Sequence, residues 1–401
     1  YNLCECQIIK TDKDHLSEED ADLNMIANPS ALLQAMKKQL ETFSKECQKV
    51  IIPDQHFEAI GIQFVMKDIK IEEGDLSNTI SSSFENVMTF AVNPAKARII
   101  FQYTFQQKTY PYAFGAGRGI ADALLEAQII TGIKMSEECP FHFQLTNFQS
   151  FAKVNHLQLS FPDASPLLQA LIDMLTSVFR DVFNDLAKFG ASQIADIMNY
   201  NIYHDRPLTR MHDYYSTDWR YISYKFFDLV HCQTSGQICK LNISNNYCQR
   251  WSQRQQIAPQ PSVKFNRPVS FYVSQNAIQS MLDHAQYMKL FDDDIKVIKI
   301  VNTGILVDVK NAEFEAEILC SVTVQTVRKN YNNNNTQPIL QMEKVISSTQ
   351  EFDQNIYFEK MNALLKTCSH NLYTFGFIDD NEQIISYKSP SWVVIALNMF
   401  Q

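Results

Sequence analysis

Gly115-Ala116-Gly117-Arg118-Gly119 is the stretch whose small residues are spaced closely enough to suggest a phosphate cradle. A dinucleotide loop needs a further small residue at the sixth position and a capped helix directly after it. Position 120 is Ile and strand-like residues follow, so the segment reads as a flexible strand entry. The other catalytic spacings fail too. No serine sits in G-x-S-x-G, and Ser235-Gly236 lies in a cysteine-rich stretch without that elbow. H-E-x-x-H and Walker loops are absent from the sequence. Asp292-Asp293-Asp294 lacks the remaining ligands of a calcium loop and reads as a solvated turn. His142 and His156 fall on polar strand faces. No catalytic residue, metal ligand or cofactor site is nominated, and the chain is expected not to be an enzyme.

The nine cysteines offer different chemistry. Cys4 and Cys6 sit close together, and Cys232, Cys239 and Cys248 cluster in a polar, Asn/Gln-rich stretch with few apolar residues to hold it down. These five are disulfide candidates. Zinc competes, with His231 beside Cys232, but there is no C-x2-C pair. An odd count leaves at least one thiol free or paired with another chain. Asn242 and Asn334 head N-x-[ST] sequons in loop-like surroundings and are glycosylation candidates. The chain begins at Tyr1, as it would after signal-peptide cleavage or trimming. Together these signs predict a secreted or lumenal protein. No run approaches the ~18 apolar residues that cross a bilayer.

Composition narrows the function classes. The formal charge is −9, which argues against a broad nucleic-acid surface and against adhesion to anionic lipid. Ten glycines in 401 residues fall well below the ~7% average, poor material for glycine-rich phosphate loops. Twenty-seven phenylalanines point to a core of large apolar side chains.

The elements follow from periodicity. Residues 11–23 are acidic and polar and read as a solvated leader. Asn28-Pro29-Ser30 supplies a cap and a first-turn proline, and Leu32, Leu33, Met36, Leu40, Phe43 and Cys47 follow at helical spacing until Pro53. Alternation then takes over. Ile60, Ile62, Phe64 and Met66 share a face, and the phase slips to Ile69 and Ile71, predicting a bulge. Met88, Phe90 and Val92, then Ile99, Phe101, Tyr103 and Phe105, then Leu125, Ala127 and Ile129 continue it. Long strands with one apolar face predict an antiparallel sheet wetted on the other side. Ser165-Pro166 opens a second helix whose apolar stripe, Leu167 to Leu186, is wider than packing on one flat sheet requires. After a polar connection over 203–262 the order of strands and helices recurs, with a helix at Ile278–Ala285, a strand at Phe314–Val324, a loop at Asn332–Asn335, a helix at Tyr357–Leu372 and a final strand at Trp392–Phe400.

The segments Leu40-Glu41-Thr42-Phe43 and Gln48 to Asp54, with its Ile52-Pro53-Asp54, resemble the first helix and following turn of the family of bactericidal/permeability-increasing protein, lipopolysaccharide-binding protein and the plasma lipid-transfer proteins. Lys67 to Ile71, Asn86 to Phe105 and Pro166 to Tyr200 resemble its next strands and long helix, and Val269 to Ala285 and Val393 to Met399 the start and finish of its second barrel. The resemblance implies an α+β fold of two elongated antiparallel barrel-like halves, each wrapped around long helices, in a boomerang-shaped tubular lipid-binding arrangement. Expected boundaries are a leader at 1–27, an N-terminal lipid-binding barrel at 28–202, a connection and central sheet with the cysteine-rich loop at 203–262, and a shortened C-terminal barrel at 263–401. The family's disulfide to the long helix has no counterpart, because residues 165–200 contain no cysteine.

The implied function is lipid binding or transfer, with a bound lipid and no other cofactor. Candidate lining residues are Leu32, Met36, Leu40 and Phe43 on the first helix, Leu168, Leu171, Leu175, Phe179 and Val182 on the second, and Phe90, Phe101 and Tyr103 on the sheet. Taken singly, each reads first as ordinary core; only the collective excess of apolar surface suggests a cavity. Expected partners are a phospholipid or other acyl-chain lipid and a transient membrane surface, with no nucleic acid. No Lys/Arg cluster shows in the first 160 residues, which disfavours lipopolysaccharide and favours a neutral or zwitterionic lipid. The alternative is an interaction protein that kept the fold with a filled pocket and serves a protein partner.

Overall fold

The computed structural model describes residues 10–11, 16–31, 52–76, 78–84, 87–110, 112–137, 139–162, 166–204, 208–212, 215–226, 228–242, 247–250, 254–263, 266–329, 333–369 and 383–397. The chain is mostly strand and divides into two units, one of residues 32–134 and 144–202, the other of 1–31, 135–143 and 203–401.

In the first of these, here called the inserted unit, a curled antiparallel sheet runs Gln55–Ala59, Ile62–Asp75, Val87–Gln107, Phe114–Met135, Phe143–Ser160 in spatial order, with Thr79–Phe84 also paired to Val87–Gln107. Strands of 21 and 22 residues are possible because their alternation is sustained. The predicted phase slip is real. Register shifts between Lys67 and Lys70, where Asp68 adopts φ 50°, so Met66 and Ile69 are both buried. A second shift between Val92 and Ala95 carries the buried face from Phe90 to Phe101. Ile60 does not belong to the apolar face: it sits in the turn between the first two strands at φ 53° and is 72% exposed.

Helix α1, Pro166–His204, lays Phe179, Phe183, Leu186 and Ala191 against this sheet at helical spacing. Two asparagines fasten it to the last strand. Asn184 Oδ1 accepts from the Val154 N–H at 2.7 Å, and Asn199 both accepts from Leu145 N–H (2.7 Å) and donates to Leu145 C=O (2.8 Å). Such contacts satisfy groups that an edge strand would leave open.

Among the described residues the second, flanking unit holds three sheets and two α-helices, α2 (Gln275–Tyr287) and α3 (Gln354–Ser369). A four-stranded meander, Asp294–Val301, Gly304–Lys310, Glu315–Lys329 and Asn333–Ser348, packs on α3. Asn362 of α3 grips Met342 as Asn199 grips Leu145, accepting at 2.7 Å and donating at 3.2 Å. The two units thus repeat a device as well as an element order.

The 203–262 segment contributes strands Leu208–His212, Tyr215–Asp218, Tyr221–Phe226, Val230–Thr234, Ile238–Asn242 and Tyr247–Arg250, polar in composition because hydrogen bonding between strands needs no apolar run. Two sequence expectations need correction here. The acidic leader is not solvated throughout: Glu18 and Glu19 are exposed, but Asp20 to Leu23 are buried. Strand Leu23–Ala27 lies between Val230–Thr234 and Val269–Ser274 in a six-stranded sheet, and Asp20 and Asp22 are fully buried. Asn333–Asn335 pair with Val327–Lys329 rather than forming a loop, so Asn334 lies in a strand, and Asn242 closes another.

The Asp22 carboxylate organises this second unit. It accepts from Ser274 Oγ (2.7 Å), Gln237 Nε2 (2.6 Å) and Arg254 Nε and Nη2 (both 3.2 Å), and Ser274 Oγ in turn accepts from the Ala277 N–H to cap α2. Burial pushes its carboxyl above the usual 3.8, against the pull of Arg254, Ser274 and Gln237. His142 is likewise buried, with Nδ1 2.9 Å from Pro140 O, not on a polar face.

Cys232 corrects another expectation. It is a free thiol, 5% exposed in the middle of Val230–Thr234, and burial pushes its pKa up to about 12. Cys239 and Cys139 are disulfide-bonded. Because only a thiolate alkylates readily, Cys232 and the buried free Cys320 should resist iodoacetamide at pH 8 in the folded protein and react after unfolding. Site-resolved mass spectrometry checks this; rapid native labelling of Cys232 would contradict the buried assignment.

Candidate lipid site on the inner face of the curled sheet

The inner face of the inserted unit is built on a pairing of rings with glycines. Phe101, Tyr103 and Phe105 stand directly across from Gly119, Gly117 and Gly115. A Cβ at Gly115 would lie 2.5 Å from the Phe105 ring, one at Gly117 2.9 Å from Tyr103 Oη, and one at Gly119 within the Phe101 ring's contact radius. The rings therefore lie down across the neighbouring strand, which only glycine permits. The spacing that resembled a phosphate loop is a ledge for an aromatic ladder.

Further rings close over it. Phe64 stacks on Phe57 (5.4 Å between centroids) and Tyr103 (5.6 Å). Phe179 of α1 meets Phe57 and Phe64 edge-on at 5.2 and 5.1 Å. Phe161 does the same to Tyr103 at 5.1 Å and Phe101 at 5.9 Å. Such edge-to-face and offset geometry is what aromatic quadrupoles favour.

Of the candidate lining residues, Phe101, Tyr103 and Phe179 are buried together in this cluster and Val182 packs against it half-buried. Phe90 is buried further along its strand, past the register shift. Leu168, Leu171 and Leu175 fall within α1, but their side chains lie outside the described residues, as do Leu32, Met36, Leu40 and Phe43. Cys4, Cys6 and the side chain of Cys248 lie outside them too.

Further along α1 the texture changes. Ala127 and Ala152 of the sheet meet Ala191 of the helix, with Leu125 and Ala187 beside them. Gly190 falls four residues after Leu186 on the face that carries Phe179 and Phe183. A Cβ added there would meet nothing within 4 Å among the described residues. The interior therefore has a ring-filled section and a section lined by small side chains. The sequence reading missed the second, because alanine and glycine carry no strong periodic signal of their own.

The outer face holds a second surprise. Lys67, Lys70 and Arg118 line a groove of ≈ 610 Å³ with Gln102, Thr104 and Asp68. These cations lie up to 51 residues apart in sequence and meet only through strand pairing, so the expectation of no basic cluster in the first 160 residues is corrected. Glu72, 3.9 Å from Arg118, offsets part of the charge.

Against solved structures, the chain aligns with a crystal structure of lipopolysaccharide binding protein at a TM-score of 0.52 and 12% identity, covering 95% of this chain and 99% of that one. The fold is that of lipopolysaccharide-binding protein. The expected fold class, curled antiparallel sheet with a long helix against it, is therefore shown. A crystal structure of Takeout 1 from Epiphyas postvittana aligns over 49% of this chain and 96% of that one, with a TM-score of 0.33 and 12% identity. No family model matches the sequence, and no curated protein matches it. In the inserted unit the helix and the curled sheet present their apolar faces to one another. Among the described residues no helix is long and apolar enough to cross a membrane.

Proposed function

We propose that the protein binds an acyl-chain lipid inside the inserted unit and carries it between surfaces, without catalysing a reaction. The observation that supports this most is the small-residue section of Ala127, Ala152 and Ala191 with Gly190 beside it, where a side chain added to α1 would meet nothing within 4 Å among the described residues. Hydrocarbon entering such a section gains ~0.8 kcal/mol per buried methylene, so a single long chain binds well without a polar motif. The fold shared with lipopolysaccharide-binding protein supports a lipid ligand. The overall charge of −9 favours a neutral or zwitterionic headgroup, such as a phospholipid, over lipopolysaccharide. Disulfide-bonded Cys139 and Cys239 support a secreted or lumenal site of action.

A second reading has its own observation. The ladder around Phe179 is packed ring on ring, as it would be in an interaction protein whose pocket has filled with side chains.

Gly190→Leu separates the two. Leucine is favoured over glycine in a helix interior by about 0.8–1 kcal/mol, and there is room for it, so the variant should unfold at slightly higher denaturant. If a chain occupies that space, lipid recovered by organic extraction or seen in native mass spectra should fall by half or more. A stabilised variant with unchanged co-purifying lipid, or a wild type that carries none, would sink the lipid reading.

A further inference from the structure

We infer that one face of the six-stranded sheet containing Leu23–Ala27 is a recognition groove for a partner protein's proline-rich segment, held in this chain by its own residues 254–263. Those residues belong to no helix or strand. From Gln256 on, every third one is exposed, Gln256, Pro259 and Ser262, while those between are half-buried. A period of three, with prolines at 259 and 261, marks a polyproline II strap laid along a surface.

Such a strap makes no ladder of its own, so its backbone groups must be met from outside. The sheet and α2 meet them with side chains. Trp392 Nε1 donates to Ala258 C=O at 2.8 Å, and Tyr272 Oη to Val263 C=O at 2.8 Å. Ser391 Oγ accepts from Ala258 N–H at 3.2 Å. Asn276 accepts from Gln255 N–H at 3.1 Å and donates to Gln255 C=O at 3.0 Å. Ile257 packs on Tyr272, Trp392 and Val394, and Arg254 lies 3.2 Å from Asp22 and 3.4 Å from Asp20. Proline-rich segments dock in aromatic-lined grooves of this kind because the polyproline helix is preformed and loses little entropy.

The strap is an exchangeable occupant. Among the described residues no backbone–backbone bond joins it to the sheet, so it can leave without opening a strand pair. It also leaves the groove incompletely satisfied. Buried Asn24 donates to Gln260 Oε1 at 2.7 Å, yet its own Oδ1 has no partner among the described residues. A polar cavity of ≈ 70 Å³ adjoins this pair, lined also by Ser223 and Gln233. A partner side chain bringing one more N–H donor there makes a bond that Gln260 does not.

The groove's chemistry defines the partner's segment: an arginine, an apolar residue three places on, then Ala-Pro-x-Pro. Without the arginine, Asp20 and Asp22 would stay buried with no counter-charge, which is costly. The tethered strap competes at an effective concentration on the order of millimolar, so a partner enters fully only when the strap is loosened. Nothing in this recognition needs a lipid in the inserted unit.

The test uses the whole chain and a fluorophore-labelled, end-blocked peptide of residues 254–263. Pro259→Gly with Pro261→Gly removes the strap's stiffness and leaves the groove's side chains in place. Peptide binding, read by anisotropy, should be about tenfold or more tighter to this variant than to wild type. Adding Tyr272→Phe, which deletes one hydroxyl and keeps the ring, should weaken it roughly fivefold. Should the double variant not fold, Pro259→Gly alone serves, because Pro259 is exposed. In wild type, amides of 254–263 should exchange hydrogen about tenfold or more faster than those of Val269–Ser274, the mark of local opening. No binding to the folded variant, equal affinity for wild type and variant, equal binding of a scrambled peptide, or strap amides exchanging only as fast as Val269–Ser274 would each overturn the proposal.

Discussion

Phe179→Ala is expected to destabilise the inserted unit by about 3–5 kcal/mol, the usual cost of emptying a buried phenylalanine site. Phe179 is fully buried and touches Phe57, Phe64 and Phe161 at once, so its loss removes one side from three ring contacts. The neighbours cannot collapse into the space easily. Tyr103 and Phe101 lie flat on Gly117 and Gly119, and Phe57 and Phe64 are pinned by strand pairing. Because a two-unit chain need not unfold in one step, urea unfolding is followed by hydrogen exchange resolved to peptides of 55–107 and 176–191. Protection in those peptides should drop while that of Val269–Ser274 stays unchanged. A loss below about 1 kcal/mol would mean the ring section is not the close-packed core described above.

Asp22→Ala should cost the flanking unit about as much, roughly 3–5 kcal/mol, the price of breaking a buried ion pair by removing one partner. Ser274, Gln237 and Arg254 lose their common acceptor, and α2 loses the group that orients its capping serine. Asp22→Asn keeps one acceptor and should cost less. The pH dependence has a definite sign. A carboxyl raised above 3.8 by burial binds its proton more tightly in the folded chain than in the unfolded one. Its contribution to stability is therefore fullest below 3.8 and is lost as pH rises through the folded value. Within that window the gap between wild type and Asp22→Ala should widen as pH falls. A gap that narrows on acidification would show that the pull of Arg254 outweighs burial.

Much of this architecture was legible because its signals are local. The slip from Met66 to Ile69 announced the bulge, Ser165-Pro166 marked the start of α1 within a residue, and the Glu315–Lys329 alternation described a strand with one wet face. What was misread depends on partners distant in sequence. Gly115, Gly117 and Gly119 acquire their meaning from Phe105, Tyr103 and Phe101 across the sheet. Asp20 and Asp22 look solvated until Arg254, more than 230 residues on, is seen beside them. Lys67, Lys70 and Arg118 form a cluster only after three strands align. Ile60 kept the apolar rhythm of its neighbours, and nothing in residue type distinguishes a turn from a strand there. Within the candidate site, the aromatic members were named from periodicity, whereas the small-residue section around Gly190 was not, since an opening is marked by what is missing.

The position of Leu23–Ala27 has a consequence for biosynthesis. Its two neighbours in the sheet, Val230–Thr234 and Val269–Ser274, are encoded more than 200 residues later. At roughly 5–20 residues per second, a nascent chain waits about 10–40 s between making that strand and making either partner. During this interval the intervening residues 32–134 and 144–202, which form a unit of their own, can complete their sheet and helix. The early strand meanwhile has unpaired edges on both sides, with Asp20 and Asp22 beside it still charged and hydrated. Those carboxylates, costly once buried, put charge beside the strand while its edges are open, the kind of flanking charge that disfavours premature pairing.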